Sequence, residues 1–137
     1  MARVSLILID AAQAYAQIVG YVFRTYYRDS IALAGLAHDG ASALDLARAA
    51  CPEIALLDFH DPGIALLSEL RAALGHDRII VLGSDADAEY RTMALAHGAA
   101  AYLPKSAINT CLLPVAGRLL GDHLRAPAPL PLDTQFA

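Results

Sequence analysis

Glu53-Ile54-Ala55-Leu56-Leu57-Asp58-Phe59-His60-Asp61-Pro62-Gly63 is the stretch around which the chain is organised. An apolar run from Ile54 to Leu57 stops at a carboxylate, and a Pro-Gly pair turns the chain soon afterwards. A short apolar run bounded by turn residues predicts a strand buried on both faces. A carboxylate at the C-terminal end of such a strand lies where open α/β sheets bind their ligands. Asp58 is therefore the first candidate for a reactive centre.

The flanking sequence repeats the pattern. Val4 to Ile9 reads as a buried strand ending at Asp10. Tyr15, Ile18, Val19, Val22 and Tyr26 recur at helical spacing, which predicts a helix from Ala12 to about Tyr27. Ile31 to Ala37 is a second strand, closed by a turn at Asp39-Gly40. Ser42 to Ala50 is a second helix with Leu44 and Ala47 facing inward, stopped by Pro52. Leu66, Leu67, Leu70 and Leu74 stripe a third helix that ends at Gly75. A strand over Arg78–Leu82, a helix over Asp87–His97 and a strand over Ala100–Leu103 follow. Asn109 is a candidate cap for a fifth helix running to about Leu124. Five strands alternating with five helices predict an α/β fold: one doubly wound parallel sheet with helices on both faces. Right-handed crossovers and the short units favour the flavodoxin-like strand order 2-1-3-4-5. Strands one and three are neighbours in that order, so Asp10 and Asp58 are expected to meet in one crevice.

Composition narrows the function. The chain has 137 residues, enough for one domain with a real core. It is 57% hydrophobic, yet no apolar run approaches the ~18–20 residues of a membrane span. Met1-Ala2-Arg3 leads straight into a strand-like run with no cleavable signal, so a cytoplasmic protein without a membrane partner is expected. A net charge of -4 gives no basic footprint for direct nucleic-acid binding. Cys51 and Cys111 read as buried spectator thiols on the apolar sides of helices. His38, His76, His97 and His123 lack metal-ligand spacing and read as solvated or capping residues. Residues 1–125 are the domain; the Pro-rich stretch 126–137 is a linker or frayed end. In helix five, Pro114 falls in the second turn, where it removes a hydrogen bond. That helix carries two apolar sets. Ile108, Cys111, Leu112, Val115 and Leu119 face the core, while Leu113, Ala116, Leu120 and Leu124 form either a broader buried face or a dimer or partner surface.

Four segments, in order, give the chain a family likeness over roughly residues 3–124. They are Leu6-Ile7-Leu8-Ile9-Asp10, Leu56-Leu57-Asp58-Phe59-His60-Asp61-Pro62-Gly63, Ile79-Ile80-Val81-Leu82-Gly83-Ser84 and Ala99-Ala100-Ala101-Tyr102-Leu103-Pro104-Lys105-Ser106. With them the chain resembles the receiver domain of two-component response regulators. The resemblance implies that Asp58 accepts a phosphoryl group from a phosphohistidine on a histidine kinase or phosphotransfer protein. It implies Mg²⁺ on the side of Asp10, Asp58 and the backbone carbonyl of His60, with Lys105 as a second positive charge. Such a transfer depends on charge neutralisation more than on covalent help. It further implies a signalling module rather than a metabolic enzyme. Tyr102 would report activation, and the output face, read by a partner or a dimer mate, would surround helix four, strand five and helix five.

Three departures bear on that expectation. The acidic pair after strand one is Asp10-Ala11, so the usual direct metal ligand is missing and Mg²⁺ is expected to bind weakly; Asp61 is a candidate to supply the missing charge. The hydroxyl residue expected at the end of strand four is Gly83, with Ser84 one residue further on as a substitute phosphate contact. The loop after Pro62-Gly63 is about three residues short. Two readings stay open: Asp58 is phosphorylated at a compromised metal site, or the domain is a pseudo-receiver acting by phosphorylation-independent protein contact. A remoter reading is a cofactor-binding flavodoxin-like domain, since Asp58-x-His60-x-x-Gly63 matches the spacing of cobalamin-binding motifs. There, however, the motif follows the first strand, and the later Gly-Gly is missing here.

Overall fold

Alternate residues of each central strand serve two separate cores, and this is why the strand sequences are apolar throughout. A computed structural model describes residues 3–84 and 88–121. Its strands are β1 (Val4–Ile9), β2 (Ile31–Ala37), β3 (Ile54–Asp58), β4 (Ile79–Gly83) and β5 (Ala101–Pro104). They form one parallel sheet in the order β2-β1-β3-β4-β5. The helices are α1 (Gln13–Tyr26), α2 (Gly40–Ala50), α3 (Leu67–Leu74), α4 (Ala88–Ala96) and α5 (Ile108–Leu120). Leu6, Leu8, Leu56, Ile80 and Leu82 pack on one face with α1 and α5. Ile7, Ile9, Ala55, Leu57, Ile79 and Val81 pack on the other with α2, α3 and Ala94 of α4. Burying each large aliphatic side chain contributes about 1.5–3 kcal/mol, so the sheet is the main source of stability.

The parallel register sets the site. Ile9 pairs with Leu57, and the next residues along the two strands are Asp10 and Asp58. Asp58 pairs with Leu82, and Gly83 with Pro104, so the ends of β1, β3, β4 and β5 lie along one edge. The connection after β3 is compact. Phe59–Gly63 form one wide turn, closed by the Ile64 N–H donating to the Phe59 carbonyl, and Ile64–Leu66 form a single tighter turn that leads into α3.

Several local expectations are corrected. Asp39-Gly40 is not a free turn: Asp39 is the N-cap of α2, its side chain accepting from the Ser42 N–H at 2.8 Å, so the helix starts two residues earlier than expected. Its buried face is Ala43 and Ala47, with Leu44 half-buried. Cys51 is exposed rather than buried, because it ends α2 in a left-handed conformation (φ 47°), and Cys111 is half-buried. Asn109 is not a cap: α5 begins at Ile108 after a turn at Lys105–Ala107, and Asn109 is buried in its first turn. Leu113 and Ala116 of the second apolar set lie in the core, so the α5 face is broad. The expected helix start at Asp87, His123, Leu124 and the Pro-rich tail lie outside the described residues.

Candidate functional site

At the C-terminal edge of the sheet the Lys105 ammonium bridges two carboxylates. Its Nζ donates to Asp10 Oδ2 at 2.8 Å and lies 2.9 Å from Asp58 Oδ1. The elements that deliver these groups follow from the strand ends. Asp10 and Asp58 terminate the adjacent strands β1 and β3, and Lys105 follows Pro104 at the end of β5. Asp10 is 2% exposed and Asp58 7% exposed, so both depend on the lysine for charge compensation.

The second oxygen of each carboxylate is held by backbone. Asp10 Oδ1 accepts from the Ala12 N–H at 2.8 Å, which supplies the N-terminal bond that α1 lacks from its own Ala12 side chain. Asp58 Oδ2 accepts from the N–H groups of His60 and Asp61 at 3.1 and 3.0 Å, fixing the turn after β3. The loops are tied together by the Ala11 N–H donating to the Asp61 carbonyl at 3.1 Å, and His38 Nδ1 lies 2.9 Å from the Asp10 carbonyl. Burial works against the charged form of Lys105, but its bonds to Asp10 and Asp58 outweigh this and raise its pKa.

Tyr15 is the site residue that sequence reasoning missed. Its spacing with Ile18, Val19, Val22 and Tyr26 predicted the helix; Val19 and Val22 are buried, Ile18 and Tyr26 are exposed, and the half-buried Tyr15 ring lies against the site. Lys105 Nζ stands 4.3 Å from the ring centroid, within cation–π range. Tyr15 Oη is sealed from solvent and has no hydrogen-bond partner among the described residues. Burial, and then the charges of Asp10 and Asp58, push its phenol far above its ordinary value.

The other candidates are placed less centrally. Ser84 is exposed in the turn after β4 and is not among the partners of Asp58 or Lys105. Asp61 is exposed and reaches the site through its backbone. Tyr102 is buried, with its ring against Gly83. His60 is exposed and stacks edge-on against Phe59 and Tyr90, which links the turn after Asp58 to α4.

The magnesium ion implied by the resemblance finds a reduced donor set. Among the described residues no three acidic, His or Cys side chains gather to hold a metal. Two carboxylates, Asp10 and Asp58, remain, beside the His60 carbonyl that the resemblance implies. Magnesium commonly takes one or two carboxylates and completes its shell with water and phosphate oxygens. The set therefore fits a loosely held, largely hydrated ion that would share its carboxylates with Lys105.

No family model matches the sequence. Among solved structures, the chain is similar to the signal receiver domain of NarL from Mycobacterium tuberculosis. The two are 25% identical with a TM-score of 0.68, covering 88% of this chain and 95% of that one. A two-component response regulator of the LuxR family from Aurantimonas has the same fold, with a TM-score of 0.74 at 24% identity over 98% of this chain and 94% of its own. In sequence, NarL of M. tuberculosis, a transcriptional regulatory protein by its name, is 32% identical over 84 residues, 59% of this chain and 39% of NarL. The chain spans between 39% and 59% of the length of the curated relatives it matches. No described helix is long and apolar enough to cross a membrane. With its sheet order, its paired carboxylates and lysine at the strand ends, and these likenesses, the chain is similar to the receiver domains of response regulators and shares their fold.

Proposed function

We propose that this receiver accepts a phosphoryl group on Asp58 from a histidine kinase or phosphotransfer protein, and that it signals through the face made by α4, β5 and α5. The observation that carries the reading is the Lys105 ammonium held within 3 Å of both Asp10 and Asp58. An Asp58 carboxylate oxygen attacks phosphorus, forming an O–P bond. The N–P bond of the donor phosphohistidine breaks, and its electron pair returns to the imidazole nitrogen, which takes a proton from solvent. Lys105 then stabilises charge on the phosphoryl oxygens, and a loosely bound magnesium ion, when present, would supply further positive charge there. Ser84 can approach the phosphoryl group only if its turn rearranges. The chain in this role is a signalling module that turns over at most its own phosphate.

A groove of about 450 Å³ between α4, β5 and α5 supports the choice of output face. It is lined in part by Leu95, Tyr102, Leu103, Cys111 and Pro114, and Met93 and Leu95 expose apolar surface on α4. A partner, or a second copy in a homodimer, would dock there.

Two observations favour a second reading, phosphorylation-independent signalling. Ala11 offers no metal ligand, and the space beside Gly83 is filled by Tyr102. Intact mass measurement after incubation with acetyl phosphate and magnesium separates the two readings. Gain of one phosphoryl group by the wild type, absent in Asp58→Asn, is the expected result. An unlabelled wild type, together with full signalling by Asp58→Asn in cells, would overturn the first reading in favour of the second.

A further inference from the structure

Lys105 is the only lysine in the sequence; the other nine basic residues are arginines. The chain therefore keeps one flexible ammonium and places it at its functional edge. A lysine has a long stem with several rotatable bonds, and an ammonium bridging two carboxylates at a strand end needs something to hold it there against solvation. Two of its three N–H donors are directed to Asp10 and Asp58. The third side of the ammonium faces no further carboxylate among the described residues; what lies beside it is the ring of Tyr15, with its centroid 4.3 Å away.

We propose that Tyr15 is a positioning residue: its ring face holds the Lys105 ammonium between the Asp10 and Asp58 carboxylates. Three features support this. Tyr15 stands in the first turn of α1, whose N-terminal Ala12 N–H is fixed by Asp10, so one carboxylate sets both the helix and the lysine. The ring is partly buried while its hydroxyl lacks a hydrogen-bond partner among the described residues, so the ring rather than the hydroxyl makes the useful contact. The ring belongs to the α1–α5 core, with Leu8, Leu56 and Leu82 among its members, and is thereby a rigid support. When phosphorylation converts Asp58 into a mixed anhydride, Lys105 can exchange its Asp58 bond for a phosphoryl oxygen while Asp10 and Tyr15 retain it. This last consequence rests on the reading of Asp58 as the acceptor, whereas the positioning role does not.

The single lysine makes the test direct. In protein labelled with ¹⁵N-lysine, an ammonium held in ion pairs exchanges slowly with water and gives one side-chain signal, whereas a released one is broadened away. The signal is expected in the wild type and in Tyr15→Phe, which keeps the ring, and is expected to be lost in Tyr15→Leu. Fluorinated phenylalanines at position 15 keep the shape and weaken the negative ring face, so the signal should fade stepwise with fluorine number. This graded response separates cation–π positioning from mere packing. Backbone amide spectra show whether each variant is folded; if Tyr15→Leu is not, the fluorinated series decides alone. No ammonium signal in the wild type, or an unchanged signal across the series, overturns the proposal. In the same proteins, labelling by acetyl phosphate should slow about 10-fold in Tyr15→Leu and stay within about 2-fold in Tyr15→Phe. If the wild type shows the ammonium signal but takes no phosphate, the acceptor reading fails while the positioning role stands.

Discussion

Tyr102 occupies the space that a side chain on Gly83 would need. A Cβ built on Gly83 would fall 2.7 Å from Tyr102 Cζ and 2.8 Å from Cε1, and against the hydroxyl as well. Tyr102 is 3% exposed, so its ring has no room to yield without leaving the core. Gly83 and the inward Tyr102 are thus one feature, because the glycine leaves the space that the tyrosine fills. In Gly83→Ala, overpacking is expected to destabilise the fold by about 1–3 kcal/mol. Adding Tyr102→Leu should recover most of that loss. A double-mutant cycle by urea denaturation checks this, and simple additivity of the two substitutions would show that the residues are not coupled.

Lys105 offers a second prediction with a definite pH dependence. Lys105→Met leaves Asp10 and Asp58 buried with no cation between them. Removing one partner of a buried ion pair costs about 3–5 kcal/mol, but Lys105 is partly exposed, so about 1–3 kcal/mol is expected near neutral pH. Because the folded-state pKa of Lys105 is raised above its ordinary 10.5, its contribution is fully present below that value and is lost as pH rises through the raised one. The stability gap between wild type and Lys105→Met should therefore be constant up to about pH 10 and narrow above it. A gap that is unchanged at strongly alkaline pH would mean that packing of the lysine stem, not its charge, is what the variant removes.

How far the sequence revealed this arrangement depended on whether the determinants were local. The five strands were legible because each is a short apolar run with Asp, Gly or Pro at its end or within two residues of it, and the β1–β3 adjacency then brought Asp10 and Asp58 together. Lys105 was legible through the family resemblance, which rests in part on its place after Tyr102-Leu103-Pro104. The failures involved neighbours distant in the chain or local bonds that resemble turns. Asp39-Gly40 has the composition of a free turn, yet the Asp39 side chain caps a helix. Cys51 follows an apolar helix face but sits one residue beyond its end, where the chain swings outward. The ring of Tyr15 over Lys105 spans ninety positions of sequence, and Gly83 beside Tyr102 joins two strands, so neither contact leaves a periodic trace.

Tyr15 itself should titrate only as the fold is lost. Burial and the neighbouring carboxylates raise its folded-state pKa, so above about pH 10 the unfolded chain gives up a proton that the native chain keeps. Stability from this group is accordingly complete below pH 10 and falls as pH rises beyond it. Absorbance of phenolate followed during alkaline titration should show a late increment coincident with unfolding, seen by circular dichroism. Tyr15→Phe should lack that increment, and its presence in the variant would assign the late step to another tyrosine.

Ala11 stands where the resemblance implies a carboxylate for magnesium, so the proposed metal role can be tested by restoring one. Ala11 follows Asp10 directly, and its N–H is bound to the Asp61 carbonyl, so its backbone is already fixed against the turn that carries His60. An aspartate there would add a third carboxylate to Asp10 and Asp58, and magnesium affinity rises with the number and charge of such ligands. Ala11→Asp is expected to bind magnesium at least about 10-fold more tightly than the wild type, equivalent to about 1.4 kcal/mol. Magnesium titrations followed by amide shifts of Asp10, Asp58 and His60 measure both proteins directly. The added charge near Asp10 should also compete for Lys105, so its ammonium signal should shift in the variant even before magnesium is added. Equal affinities in the two proteins would show that position 11 does not face the ion.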